Sequence, residues 1–82
     1  MIYKDTIERR PWEIRITHHA FLRAMERGIT PEMVEAVIKS GRIKKFGKNM
    51  IKFVGKYKRG KVICVGEKKE ENRIKILTIE WG

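Results

Sequence analysis

The sequence is poor in the residues on which many chemistries depend. It holds one Cys (Cys64), one Ser (Ser40), two Asn (Asn49 and Asn72) and no Gln. A lone Cys excludes a disulfide framework and any multi-Cys zinc site. Ser40 stands outside any Gly-x-Ser-x-Gly elbow, and the scattered glycines form no phosphate-cradling loop of Walker or dinucleotide type. No apolar run approaches the ~18 residues of a membrane span. Met1-Ile2-Tyr3-Lys4-Asp5 lacks the basic-then-apolar order of a signal peptide, so a reducing cytoplasm is the expected compartment and no membrane partner is expected. Zinc needs three or four converging ligands, which the adjacent His18 and His19 do not supply, so neither a metal nor another cofactor is expected.

What is present is apolar residues (41%) and charge (37%) in a chain of 82 residues. That is enough for one core, and a chain this short buries only roughly 60–65% of the surface its unfolded form exposes. Residues 1–82 therefore read as a single domain, with the weakly periodic stretch 1–11 as an N-terminal extension. Ile2-Tyr3 and Pro11-Trp12 are its candidate anchors. A homodimer would relieve so small a core, although no sequence feature fixes a stoichiometry. Scarce amides beside abundant Lys, Glu, Arg and Ile match the composition of proteins from hot-living organisms.

The charge is strongly localised. The chain carries 20 Lys+Arg against 10 Asp+Glu, a net +10. Nine of the cations (Arg42, Lys44, Lys45, Lys48, Lys52, Lys56, Lys58, Arg59 and Lys61) fall in residues 42–61, which contain no acid. One reading is a solvated lysine-rich face. The other is a footprint for a polyanion, most simply nucleic acid, and an acid-free run in a chain rich in acids elsewhere favours it.

Periodicity outlines the elements. Trp12 to Thr17 alternates as a short strand. Thr17 is a helix N-cap for residues 18–27, with Phe21, Ala24 and Met25 as the apolar stripe and Gly28 as the terminator. Thr30-Pro31-Glu32 starts a second helix, whose stripe is Met33, Val34, Val37 and Ile38 and whose end is Gly41. Strands are expected at 43–46, 50–58, 61–66 and 73–81, with a charged loop at 67–72. The short connections favour antiparallel neighbours. The expected fold is α+β, of order β-α-α-β-β-β-β: a twisted antiparallel sheet with two helices on one face. Along the longest strand, alternation turns Ile51, Phe53, Gly55 and Tyr57 toward the helices and Met50, Lys52, Val54, Lys56 and Lys58 away from them. A bulge at Gly55 would break that pattern.

A second set of polar residues lies on the first helix. His19, Arg23 and Arg27 stand at i, i+4 and i+8 and share one flank. Three like groups in a row repel. An anion held there would explain them, as would ordinary surface arginines paired with Glu26 or Glu80. Tyr57 is a strand-end residue whose ring alternation sends inward, although a Tyr there can also stack a base. Trp81 can stack a base or cap the core, and Cys64 amid Val62, Ile63 and Val65 reads as a buried structural thiol.

The run Ile16-Thr17-His18-His19-Ala20-x-x-Arg23-x-x-x-Arg27-Gly28-Ile29-Thr30-Pro31-Glu32 resembles the opening of a group of small prokaryotic domains of unknown function. Those domains share a "His-Ala" strand end, an "Arg-x-x-x-Arg-Gly-Ile-(Ser/Thr)" helix, a second helix and a β-meander. They are similar to the RelE, ParE and BrnT toxins of toxin–antitoxin systems. The resemblance covers about residues 12–81, and His19, Arg23 and Arg27 match its motif. It implies a RelE-like fold, metal-independent cleavage of RNA (including mRNA on the ribosome) and a small acidic antitoxin as partner.

Three functions follow as expectations. A ribonuclease needs a base for the 2′-hydroxyl, positive charge for the phosphorane and an acid for the leaving oxygen. His19 would serve as base or acid and Arg23 and Arg27 would hold phosphate, with Lys44, Lys52, Lys56, Lys58 and Arg59 guiding the RNA. A non-catalytic RNA- or DNA-binding module needs the basic block alone. An interaction module would receive an acidic partner chain on the basic strand.

Overall fold

The structure, a computed structural model, describes residues 5–82, so the Ile2-Tyr3 anchor lies outside the described residues. Its elements in chain order are β1 (Thr6–Arg9), β2 (Trp12–Ile16), α1 (His18–Glu26), α2 (Pro31–Ser40), β3 (Arg42–Phe46), β4 (Met50–Tyr57), β5 (Gly60–Glu70) and β6 (Arg73–Trp81). The strands form one mixed sheet in the order β1-β2-β6-β5-β4-β3. Two helices over one sheet face make the fold α+β.

The helix ends follow from local chemistry. The Thr17 hydroxyl accepts from the Ala20 amide at 3.1 Å and donates to the Ile76 carbonyl at 3.2 Å, tying the start of α1 to β6. At the other end the Gly28 amide donates to Met25 and the Ile29 amide to Ala24, the paired bonds of a Schellman turn. Gly28 has φ of +76°, a conformation that only glycine adopts without cost, and it turns buried Ile29 back into the core. Thr30 caps α2 through the Met33 amide at 3.2 Å, with Pro31 at the first helical position.

Packing selects which residues of each stripe are buried. Val34, Val37 and Ile38 are buried as expected, with Met33 half-buried. On α1 the contact runs through Ala20 and Ala24, while Phe21 is half-buried and Met25 is 41% exposed. Two alanines let α1 lie close on β6, which leaves the longer Met25 at the margin. Along β4, Ile51 and Phe53 are buried under the helices. Gly55 continues that face without a bulge, and a Cβ there would meet Val37 Cγ2 at 2.6 Å. Tyr57, expected to turn inward, is 37% exposed at the end of the strand, beside Val37 and Ser40 of α2.

Three expectations about the sheet are corrected. The N-terminal extension contributes a strand, β1, antiparallel to β2; only Ile7 of its four residues is buried, too few for a periodic signal. The sheet is not wholly antiparallel, because β2 and β6 pair in parallel. Short loops govern only consecutive strands, and β2 is separated from β6 by two helices and three strands. The expected charged loop at 67–72 is largely strand. There Glu67 stands opposite Lys75, and Glu70 stands opposite Arg73 and pairs with it at 3.5 Å, so unlike charges face each other across the hairpin and only Glu71-Asn72 turns.

The sheet curls around the helices. Trp12 on β2 and Phe53 on β4 are three strands apart, about 14 Å in a flat sheet. Their ring centroids nevertheless meet edge to face at 6.4 Å. The curl also brings Arg9 to the end of α2, where its guanidinium donates to the carbonyls of Ile38 (3.2 Å) and Gly41 (2.7 Å) and lies 5.9 Å from the Phe53 ring centroid. Arg9→Ala removes these charge-assisted bonds to half-buried carbonyls. It is expected to lower unfolding free energy by about 1–3 kcal/mol in urea denaturation; an unchanged midpoint would contradict this role.

Candidate nucleic-acid interface

The face of the sheet turned away from the helices carries the basic block. Strand register fixes its layout. The three-residue turn Gly47-Lys48-Asn49 sets Phe46 opposite Met50, which places Lys44 opposite Lys52 and Arg42 opposite Val54. On the next pair, Lys56 stands opposite Lys61. Arg42, Lys44, Lys56 and Lys61 surround a depression of about 240 Å³ floored by Val54, with no acidic residue in its lining. Phe46, 39% exposed, lies on the same face with the Lys52 ammonium 5.1 Å from its ring centroid. The face thus offers cations for phosphates and an aromatic ring for a base.

This arrangement disfavours folding locally, because like charges directly across a strand pair repel. Salt bridges elsewhere show that the chain can pair its charges: Lys39 meets Glu35 at 2.9 Å and Lys69 meets Glu67 at 2.9 Å. On the open face of β3, β4 and the start of β5, the facing pairs are instead Lys44–Lys52 and Lys56–Lys61.

The expected site residues do not form one constellation. Lys44, Lys52 and Lys56 share the open face. Lys58 is exposed in the β4–β5 turn. Arg59 goes elsewhere: its guanidinium stacks 5.0 Å from the Trp81 ring centroid and lies beside Gly28. His19 and Arg23 lie on α1, with Arg27 as its C-cap, and α1 packs on β6 from the opposite side of the sheet. His19 is exposed, and Arg23 makes a loose pair with Glu26 at 3.8 Å. Arg27 has a structural task, donating from Nη1 to the Ile79 carbonyl at 2.8 Å, while Trp81 Nε1 donates to the Arg27 carbonyl at 2.6 Å. Trp81 is therefore a half-buried clamp between β6 and the end of α1.

Sequence reasoning places Arg42 and Lys61 in the basic block but not among the residues that guide RNA, and it passes over Phe46. Their signal was the β3–β4 and β4–β5 registers, which alternation within one strand does not supply. Cys64 is buried, and burial pushes its thiol up to about 12, so it carries no thiolate at neutral pH. Among the described residues, no group of three or more His, Cys, Asp or Glu is placed to hold a metal ion, and no helix is long and apolar enough to cross a membrane.

Charge repulsion on the open face has a measurable consequence. Lys56→Glu turns the repulsive pair with Lys61 into an attractive one. It is expected to raise stability by about 0.2–1 kcal/mol in dilute buffer. The gain should shrink at 1 M salt, where the screening length falls to about 3 Å. Thermal denaturation at the two ionic strengths checks both; a lower melting temperature in dilute buffer would contradict the assignment.

Comparison with curated proteins and with solved structures gave no match. Comparison with protein families matched residues 16–81, from the end of β2 to Trp81, leaving β1 and nearly all of β2 outside the matched segment. The chain belongs to the family described as "Domain of unknown function (DUF4258)".

Proposed function

We propose that the protein is a nucleic-acid-binding domain that lays single-stranded RNA along the open face of its sheet. The observation that carries this reading is the depression ringed by Arg42, Lys44, Lys56 and Lys61, acid-free and set beside the exposed ring of Phe46. Cations alone would suit any polyanion. The aromatic ring on the same face favours unpaired bases, which stack on it whatever their identity. The RNA choice rests on the resemblance of the helix-one motif to RelE-like domains.

A second reading, metal-independent cleavage of RNA, is favoured by one feature. His19 and Arg23 are both exposed on one flank of α1, so a base or acid and a phosphate ligand are one helical turn apart. It requires RNA to reach a surface on the other side of the sheet from the basic depression. The binding reading needs no such path and is therefore preferred.

One experiment separates the two. Labelled single-stranded RNA is incubated with the protein and with its His19→Ala variant in EDTA, with and without ribosomes, across a salt series. The binding reading expects intact RNA and an affinity that falls with salt. The log–log slope is about −3.5 if five cations each neutralise a phosphate, at about −0.7 per contact for single strands. Lys44→Ala with Lys56→Ala should make the slope shallower by about 1.4. Cleavage by the wild type and not by His19→Ala would select the ribonuclease. Absence of binding in dilute buffer would sink the open-face reading.

A further inference from the structure

A second recess opens on the helix-bearing side of the sheet, at the end that the helices leave uncovered. It has a volume of about 190 Å³, and strands and turns alone line it. One wall is Trp12. Its ring is fixed by the edge-to-face contact with Phe53 and faces the Lys45 ammonium, 5.8 Å from its centroid. Lys48 and Asn49 come from the β3–β4 turn and Lys68 from β5, where the Lys68 amide donates to the Asn49 carbonyl at 2.7 Å. Three lysines, an asparagine and an indole line it, and none of the residues lining it is acidic.

These groups match one ligand chemistry. An indole presents a flat apolar surface for a planar ring, an amide can pair with a base edge, and lysine ammonium groups within reach suit a phosphate. The volume is below the roughly 300–1,000 Å³ of pockets that enclose drug-sized ligands, so the recess accommodates one such ring and not a series of them. A base stacked on Trp12 takes the place over the indole that Lys45 now holds and moves that ammonium toward the phosphate.

We infer that this recess binds a single nucleoside monophosphate group, with its base on Trp12 and its phosphate among Lys45, Lys48 and Lys68. The group can come from a free nucleotide or from the end of an RNA strand. The second source deepens the open-face reading and rests on it. Phe46 and the β3–β4 turn lie at the same end of the sheet as the recess, so a strand on the open face has its end beside the turn that leads to Trp12.

Titration of the full chain with adenosine monophosphate, followed by tryptophan fluorescence, tests this. Saturable quenching is expected, and Trp12→Phe should abolish it while Trp81 still reports a folded protein. Lys48→Ala with Lys68→Ala, both at exposed positions, should weaken binding about tenfold or more with an unchanged circular dichroism spectrum. Adenosine without phosphate should bind comparably weakly. A second arm compares short RNA strands bearing a terminal phosphate or only hydroxyl ends. Preference for the phosphate, lost in the double lysine variant, assigns the recess to strand ends; equal binding of the two strands assigns it to free nucleotides. No saturable quenching at millimolar adenosine monophosphate overturns the inference, as does quenching that survives in Trp12→Phe or is unchanged in the lysine variant. Adenosine monophosphate has no strand, so the first arm reports on the recess whether or not the open face binds RNA.

Discussion

The register of β4 against the helices is the constraint on which both faces of the molecule depend. Ile51, Phe53 and Gly55 lie under α2, and Lys52 and Lys56 alternate with them on the other side. A slip by one residue would exchange the two sets. It would bury ammonium groups among Val34, Val37 and Ile38, at several kcal/mol per ion even after relaxation. Repulsion between facing lysines on the open side is worth only about 0.2–1 kcal/mol per pair. The penalty for burying an ammonium group therefore sets the register, and the weaker lysine–lysine repulsion is tolerated. A cation-only surface can persist on a strand whose reverse face is core.

The helices are tied to the sheet by polar contacts to main-chain carbonyls. Arg9 reaches the end of α2, Arg27 reaches β6, and Trp81 returns a bond to the end of α1. Helix C-termini present carbonyls without intrahelical partners, and guanidinium and indole N–H groups are suited to them. This explains why a basic protein does not direct every arginine to a ligand. Arg9 and Arg27 act as structural clamps, and the Arg59 guanidinium lies over the Trp81 ring.

Local signals were legible in the sequence and relational ones were not. Thr17, Gly28, Thr30 and Pro31 mark the helix ends because capping is decided within a few residues. The faces of Ile51, Phe53, Lys52 and Lys56 follow from the two-residue period of one strand. The parallel pairing of β2 with β6 was invisible because it joins segments about sixty residues apart through no short turn. Strand β1 was missed because a four-residue strand with one buried side chain has no measurable period. Glu67 to Glu70 looked like a loop because charged runs are usually solvated, and the opposing charges of β6 change that. For the candidate site, the basic block was legible as composition. Its division was not: the separation of Arg59 from Lys44, Lys52 and Lys56, and of all of them from His19, depends on which side of the sheet each element covers.

The consecutive residues Lys44 and Lys45 show how the proposed sites are related. Lys44 belongs to the open face and faces Lys52, whereas Lys45 faces Ile51 on the helix side and reaches Trp12. Alternation makes one strand serve two surfaces, and β3 can do so because it is at the edge of the sheet. In an interior strand, a long ligand could not pass from one face to the other without crossing neighbouring backbone. At the edge it needs only to round the Gly47-Lys48-Asn49 turn, where Lys48 supplies a cation between the two surfaces. Unpaired edge strands otherwise invite association, and lysine is a common device against it. Protection of the edge accounts for lysines along β3 itself. It does not account for Lys56 and Lys61, which face each other on paired strands away from the edge. Those two keep a polyanion as the simplest reason for the charge of this face.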